Sequence, residues 1–108
     1  MLSATSLRLA TERLVEQFQP QRVILFGSQG RGTADSHSDL DLLVVCPIKP
    51  EAASRRALMV AMDRALRGLG LATDVVVLTP EEFERDRQIP GTVARPAWQE
   101  GTVLYEAP

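Results

Sequence analysis

The chain has 108 residues, 44% hydrophobic and 24% charged, which is apolar material for one core and leads us to expect a single domain over 1–108. A net charge of −2 with scattered arginines argues against an extended nucleic-acid footprint, and aromatics at 5% offer few platforms for stacked bases. No stretch has membrane-spanning length or a continuous apolar leader, and the lone Cys46 falls at an apolar strand position, so a cytoplasmic location is expected.

Between Ser6 and Phe18, Leu7, Ala10, Leu14, Val15 and Phe18 recur at helical spacing while Arg8, Glu12, Arg13 and Glu16 take other faces. This predicts an amphipathic helix stopped by Pro20. The apolar run Val23 to Phe26 reads as a buried strand that breaks at Gly27-Ser28. A polar passage leads to a second strand, Asp39 to Cys46, ended by Pro47. Pro50 is expected to open a long helix with Leu58, Ala61, Met62, Ala65 and Leu69 on one stripe, terminated at Gly68 and Gly70. The nearly continuous aliphatic run Leu71 to Leu78 predicts a third strand, central in its sheet and covered on both faces. Thr79-Pro80-Glu81-Glu82 is a capping box with proline at the first helical position, predicting a short helix to about Arg87 that Pro90-Gly91 breaks. After Gly101, Val103 to Tyr105 reads as a short edge strand. Strands separated by helices argue for an α/β (α+β) fold: a small mixed sheet with helices packed on it.

The chemistry concentrates between Val23 and Val45. Side chains alternate along a strand, so Asp39 and Asp41 share a face about 6.5 Å apart along the chain, with Leu40 and Leu42 turned into a core. Two such carboxylates with no local cation repel one another, and a hard divalent cation relieves this. Mg²⁺ is typically bound through one or two carboxylates plus the phosphates of a nucleotide. Gly27 and Ser28 supply the other half of such a site, since a residue without Cβ lets backbone N–H groups and a hydroxyl approach phosphate oxygens. Together they read as a metal-nucleotide site. No Gly-Lys-Ser/Thr follows, which excludes a P-loop, and glycines at 27, 30 and 32 miss the dinucleotide spacing.

Gly27-Ser28, Arg31-Gly32 and Ser38-Asp39-Leu40-Asp41-Leu42 together resemble the signature of the nucleotidyltransferase superfamily related to DNA polymerase β, and within it the minimal nucleotidyltransferase branch. The resemblance extends from the opening helix to Leu104-Tyr105-Glu106 and implies the polymerase β-like fold. It implies that the third metal-binding carboxylate lies on the third strand, whose only acid is Asp74. Asp39 and Asp41 would then bridge two Mg²⁺ ions about 3.5–4 Å apart. Asp74 would hold one ion and act as general base, while Gly27 and Ser28, with Arg31, Gly32 and Ser38 nearby, would bind the triphosphate of ATP. The implied reaction is AMP transfer to a hydroxyl, and in the minimal branch the implied acceptor is a tyrosine of a HEPN-type toxin neutralised by this antitoxin. The family's final helix falls on Thr92 to Glu100, where Pro96 leaves its start open.

Competing readings accompany each assignment. Asp39 and Asp41 can be a solvated strand entry, and Asp74 can pair with Arg31 or Arg67. Phosphate binding and a structural bond are equally open to Arg31. His37, flanked by serines, reads as a loop residue, and Trp98 and Tyr105 as core or partner-surface anchors, with Trp98 the expected centre of a partner patch. A steric antitoxin without catalysis, transfer to a small molecule, and a homo-oligomer that completes the acceptor pocket are the alternatives at the level of function.

Overall fold

A computed structural model describes residues 4–26, 40–48, 54–70 and 72–108. Among them the elements run α1 (Ala4–Phe18), β1 (Arg22–Phe26), β2 (Leu40–Val45), α2 (Arg55–Ala65), β3 (Thr73–Leu78), α3 (Pro80–Asp86), α4 (Ala94–Glu100) and β4 (Thr102–Glu106). The four strands form one mixed sheet in the order β3-β2-β1-β4. β1 is antiparallel to both β2 and β4, whereas β2 and β3 run parallel and are connected through α2.

The period of two sorts the strands' side chains into two cores. Val23, Leu25, Leu40, Leu42, Val44, Val75 and Val77 face one way and pack against Ala10 and Leu14 of α1 and against Met62 and Leu66 in and after α2. Ile24, Leu43 and Val45 face the other way, onto Phe83, Ala94 and Ala97 of α3 and α4, with Phe26, Val76 and Leu78 alongside. The sheet therefore carries a helical layer on each face. Cys46 is buried at the edge of the larger core, where its thiol lies 3.6 Å from the Phe18 carbonyl and burial pushes its pKa up.

Three expectations are corrected. β3 is an edge strand, not a central one. Its aliphatic run arises because helices cover both its faces, a condition that says nothing about its lateral neighbours. Leu40 and Cys46 donate to the carbonyls of Ala72 and Leu78, so the carbonyl of Val77 points to the outer edge, where Arg55 Nη1 takes it at 3.1 Å. α2 begins at Arg55, because the Ser54 hydroxyl accepts from the Ala57 N–H and caps it there, and it ends at Leu66 before Gly68 and Gly70 turn at positive φ. Its inner stripe is accordingly Leu58, Met62 and Leu66, and Ala61 is exposed.

Pro96 is accommodated because α4 starts at Ala94, which puts proline in the first turn, where no intrahelical acceptor exists for an N–H. The Thr92 hydroxyl stands before that turn, accepting from the Arg95 N–H and lying 2.7 Å from the Asp86 carbonyl. The capping box of α3 is complete. Thr79 accepts from the Glu82 N–H, and Glu82 accepts from the Thr79 N–H. Glu82 also takes a two-pronged bond from Arg55, with both contacts at 2.8 Å, so one carboxylate ties the starts of α2 and α3 to the β3 edge.

Two predictions follow from these contacts. The Arg55 guanidinium and then the Thr79 N–H hold the Glu82 carboxyl down at about 2, against an ordinary 4.5. Its stabilisation is therefore complete above pH 4.5 and is lost as pH falls toward 2. Glu82→Gln should lower the melting temperature at neutral pH and flatten the acid limb of a stability–pH curve; superimposable limbs would count against the bridge. At Gly101, an added Cβ would meet the Ala97 carbonyl, Ile24 Cγ2 at 2.8 Å and the Leu25 carbonyl at 2.8 Å. Gly101→Ala should cost about 1–3 kcal/mol in urea unfolding.

Candidate active site

The parallel register of β2 and β3 pairs Leu40 with Thr73, Asp41 with Asp74 and Leu42 with Val75. Paired residues in neighbouring strands project to the same face, about 4.8 Å apart at the backbone. Asp41 and Asp74 thus stand side by side on the face that carries α3 and α4, at the end of the sheet where both strands begin. Asp41 is half-buried and Asp74 exposed. Phe26 pairs with Asp41 from the other side, so a row Phe26–Asp41–Asp74 crosses three strands on one face. Asp74 forms no salt bridge with Arg67 or any other described residue. Arg67 contributes instead its backbone carbonyl, which together with that of Ala65 accepts from Arg13 Nη1 and closes the C-terminal end of α2.

Gly27, Ser28, Arg31, Gly32, Ser38 and Asp39 lie outside the described residues, as does His37. The chain leaves the described part at Phe26 and re-enters it at Leu40, both at the sheet end that carries Asp41 and Asp74. No three acidic, histidine or cysteine side chains gather among the described residues, and Asp41 and Asp74 are register partners across β2 and β3. Two adjacent carboxylates, one of them open to solvent, are hard oxygen donors of the kind that suits Mg²⁺ or Mn²⁺ and does not suit a soft metal.

Trp98, expected as a core or partner-surface anchor, stands in a cluster of aromatic and arginine side chains. It is 41% exposed, but its ring meets Phe83 edge-on at 5.8 Å, and the guanidinium carbons of Arg22 and Arg87 lie 5.1 Å and 4.7 Å from its centroid. Arg22 also covers Phe83 at 5.3 Å; its buried Nε and Nη1 make no hydrogen bond, and the guanidinium is held by the ring faces and by Glu106, whose Oε2 lies 3.9 Å from Nε. Sequence spacing could not disclose this wedge, since Arg22, Phe83 and Trp98 are far apart in the chain. The cluster sits at the Arg22 end of β1, and Asp41 pairs at the Phe26 end, with Val23, Ile24 and Leu25 between them.

With that geometry in hand, comparison with known proteins is informative. The family model of the nucleotidyltransferase domain matches residues 7–104. The chain belongs to that family, a polymerase β-like nucleotidyltransferase domain. Among curated proteins, the bifunctional uridylyltransferase/uridylyl-removing enzyme of Bordetella pertussis is 47% identical over 60 residues, 56% of this chain. Its Bordetella parapertussis counterpart is 45% identical over the same length. The chain spans only 7% of the length of these relatives. Among solved structures, a Sulfolobus solfataricus protein provisionally described as a nucleotidyltransferase superposes with a TM-score of 0.64 at 23% identity, covering 94% of this chain and 78% of that one. A toxin-antitoxin structure with AMP-PNP superposes with a TM-score of 0.59 at 22% identity, covering 93% and 73%. These two likenesses establish the shared fold.

If Asp41 and Asp74 share a divalent cation, millimolar Mg²⁺ should raise the melting temperature of the wild-type chain and leave that of Asp74→Asn unchanged. In EDTA the same variant should be as stable as wild type or slightly more so, because one of two neighbouring like charges is gone. An identical Mg²⁺ response in both proteins would remove Asp74 from the site.

Proposed function

We propose that the chain is a divalent-cation-dependent nucleotidyltransferase that moves AMP from ATP onto a tyrosine hydroxyl of a HEPN-type toxin encoded nearby, and so acts as the antitoxin of the pair. The observation that supports this most is the side-by-side placement of Asp41 and Asp74 at one end of the sheet. The sequence motif adds Asp39 to that set and puts Gly27, Ser28, Arg31, Gly32 and Ser38 on the triphosphate. A cation held by Asp39, Asp41 and Asp74 would supply neutralisation of the charge that gathers on the phosphates. Asp74, the more exposed of the two described acids, is assigned as general base. It takes the proton of the acceptor hydroxyl while that oxygen forms a bond to the α-phosphorus and the bond from the α-phosphorus to the pyrophosphate oxygen breaks. The fold shared with a toxin-antitoxin assembly holding AMP-PNP is consistent with this partner and this nucleotide.

A second reading is uridylyl transfer, favoured by the 47% identity to a uridylyltransferase over 60 residues. The same in-line displacement applies, with UTP as donor. Both readings place the chemistry on the same acids and differ in the base.

Incubation with Mg²⁺, the neighbouring gene product and either α-labelled ATP or α-labelled UTP separates them. Label from ATP on a partner tyrosine is expected, and Asp41→Ala and Asp74→Ala should each reduce the rate roughly 10²–10⁴-fold. Label from UTP alone would select the second reading. Absence of label from both, with toxicity still suppressed by the alanine variants, would mean steric neutralisation.

A further inference from the structure

On the sheet face opposite Asp41 and Asp74, α1 and α2 diverge around a groove of about 690 Å³. Gln17 of α1 lines one side, and Arg56, Ala57, Val60, Ala61 and Arg64 of α2 line the other. Val60 has 47% of its surface in water, more than an aliphatic residue needs on a helix whose inner stripe is already filled by Leu58, Met62 and Leu66. We infer that this groove receives an acidic, amphipathic helix of the partner protein. The inference rests on the proposed function only in identifying that partner with the acceptor.

Charge chooses the occupant. Arg56 and Arg64 stand eight residues apart, about 12 Å along the helix, which is the length of two turns of a docked helix. Neither forms a salt bridge with a described residue. Asp63, the one acid of α2, lies 3.4 Å from the Thr73 hydroxyl, away from the groove lining. Arg13, the basic residue of α1 at this crossing, is bonded to the carbonyls of Ala65 and Arg67. Among the described lining residues the charged groups are therefore Arg56 and Arg64, a positive strip on a chain of net charge −2. A second copy is a poor occupant, because antiparallel packing of two α2 helices sets Arg56 against Arg64 of the other copy and parallel packing sets each arginine against itself. An apolar stripe flanked by Asp or Glu satisfies both the floor and the rim. A partner held here leaves the opposite face open. Its acceptor reaches the acids around the β3 edge, since α2 leads through Gly68 and Gly70 directly to Thr73 and Asp74.

The test measures binding of the full chain to the purified neighbouring gene product without nucleotide, by calorimetry at low and moderate salt. Val60→Glu and the double variant Arg56→Glu/Arg64→Glu, each checked for native circular dichroism, should weaken binding tenfold or more, and Ile89→Ser on the other side of the molecule should not. Hydrogen exchange should show protection over 55–65 on binding. Wild-type affinity in both groove variants, protection confined to 83–100, or no binding of the wild-type chain would each overturn the inference. A self-associated chain that Val60→Glu dissociates overturns it in favour of a second copy. Label transfer in the same mixtures is read separately, so binding without label leaves the docking groove standing while defeating the catalytic proposal. Label that is indifferent to the groove variants does the reverse.

Discussion

The parallel pairing of β2 with β3 is the constraint on which the rest depends. It sets Asp41 beside Asp74, and the same register sends Val75 and Val77 into the larger core next to Leu42 and Val44. A slip of one residue would turn Asp74 toward Ala10, Leu14 and Met62 and expel the valines to the other face. Burying an unpaired carboxylate there costs several kcal/mol. The apolar alternation of β3 thus enforces the placement of its one acid, and an otherwise unfavourable like-charge contact is held by hydrophobic packing beneath it.

α2 transmits that register to the rest of the molecule. At its start Arg55 bonds Glu82 and the edge carbonyl of Val77, and at its end Arg13 closes the carbonyls of Ala65 and Arg67. Both bonds are made by arginine, whose planar fork serves two acceptors at once, a geometry that lysine lacks. On the second face Arg22 plays a related part by lying across Phe83 and Trp98, which braces α3 and α4 against β1. Arginines therefore pin the helical layers to the sheet at two points, through Arg55 and Arg22, and Arg13 ties α1 to the end of α2.

The family match over 7–104 takes in β1, β2, β3, α2, α3 and α4 entire and reaches into β4, so membership in the nucleotidyltransferase domain family concerns the architecture and not one loop. The 60-residue likeness to uridylyltransferases and the fold shared with an AMP-PNP-bearing assembly bear on different questions.

What the sequence alone determined was local. Thr79-Pro80-Glu81-Glu82 forms its capping box with or without a neighbour, and Pro20 stops α1 by its own backbone chemistry. The Asp39–Asp41 spacing with Gly27-Ser28 gives an expectation of a metal-nucleotide site, of which only Asp41 lies among the described residues. Only the tertiary structure decided that β3 lies at the edge, since helices covering both faces give the same aliphatic run in an edge strand as in a central one. It alone set Asp74 opposite Asp41, exposed Ala61 and Val60 beside a groove, and wedged Arg22 between Phe83 and Trp98. Lateral order and long-range register depend on which strands find each other across tens of residues, and no residue's own preference carries that information.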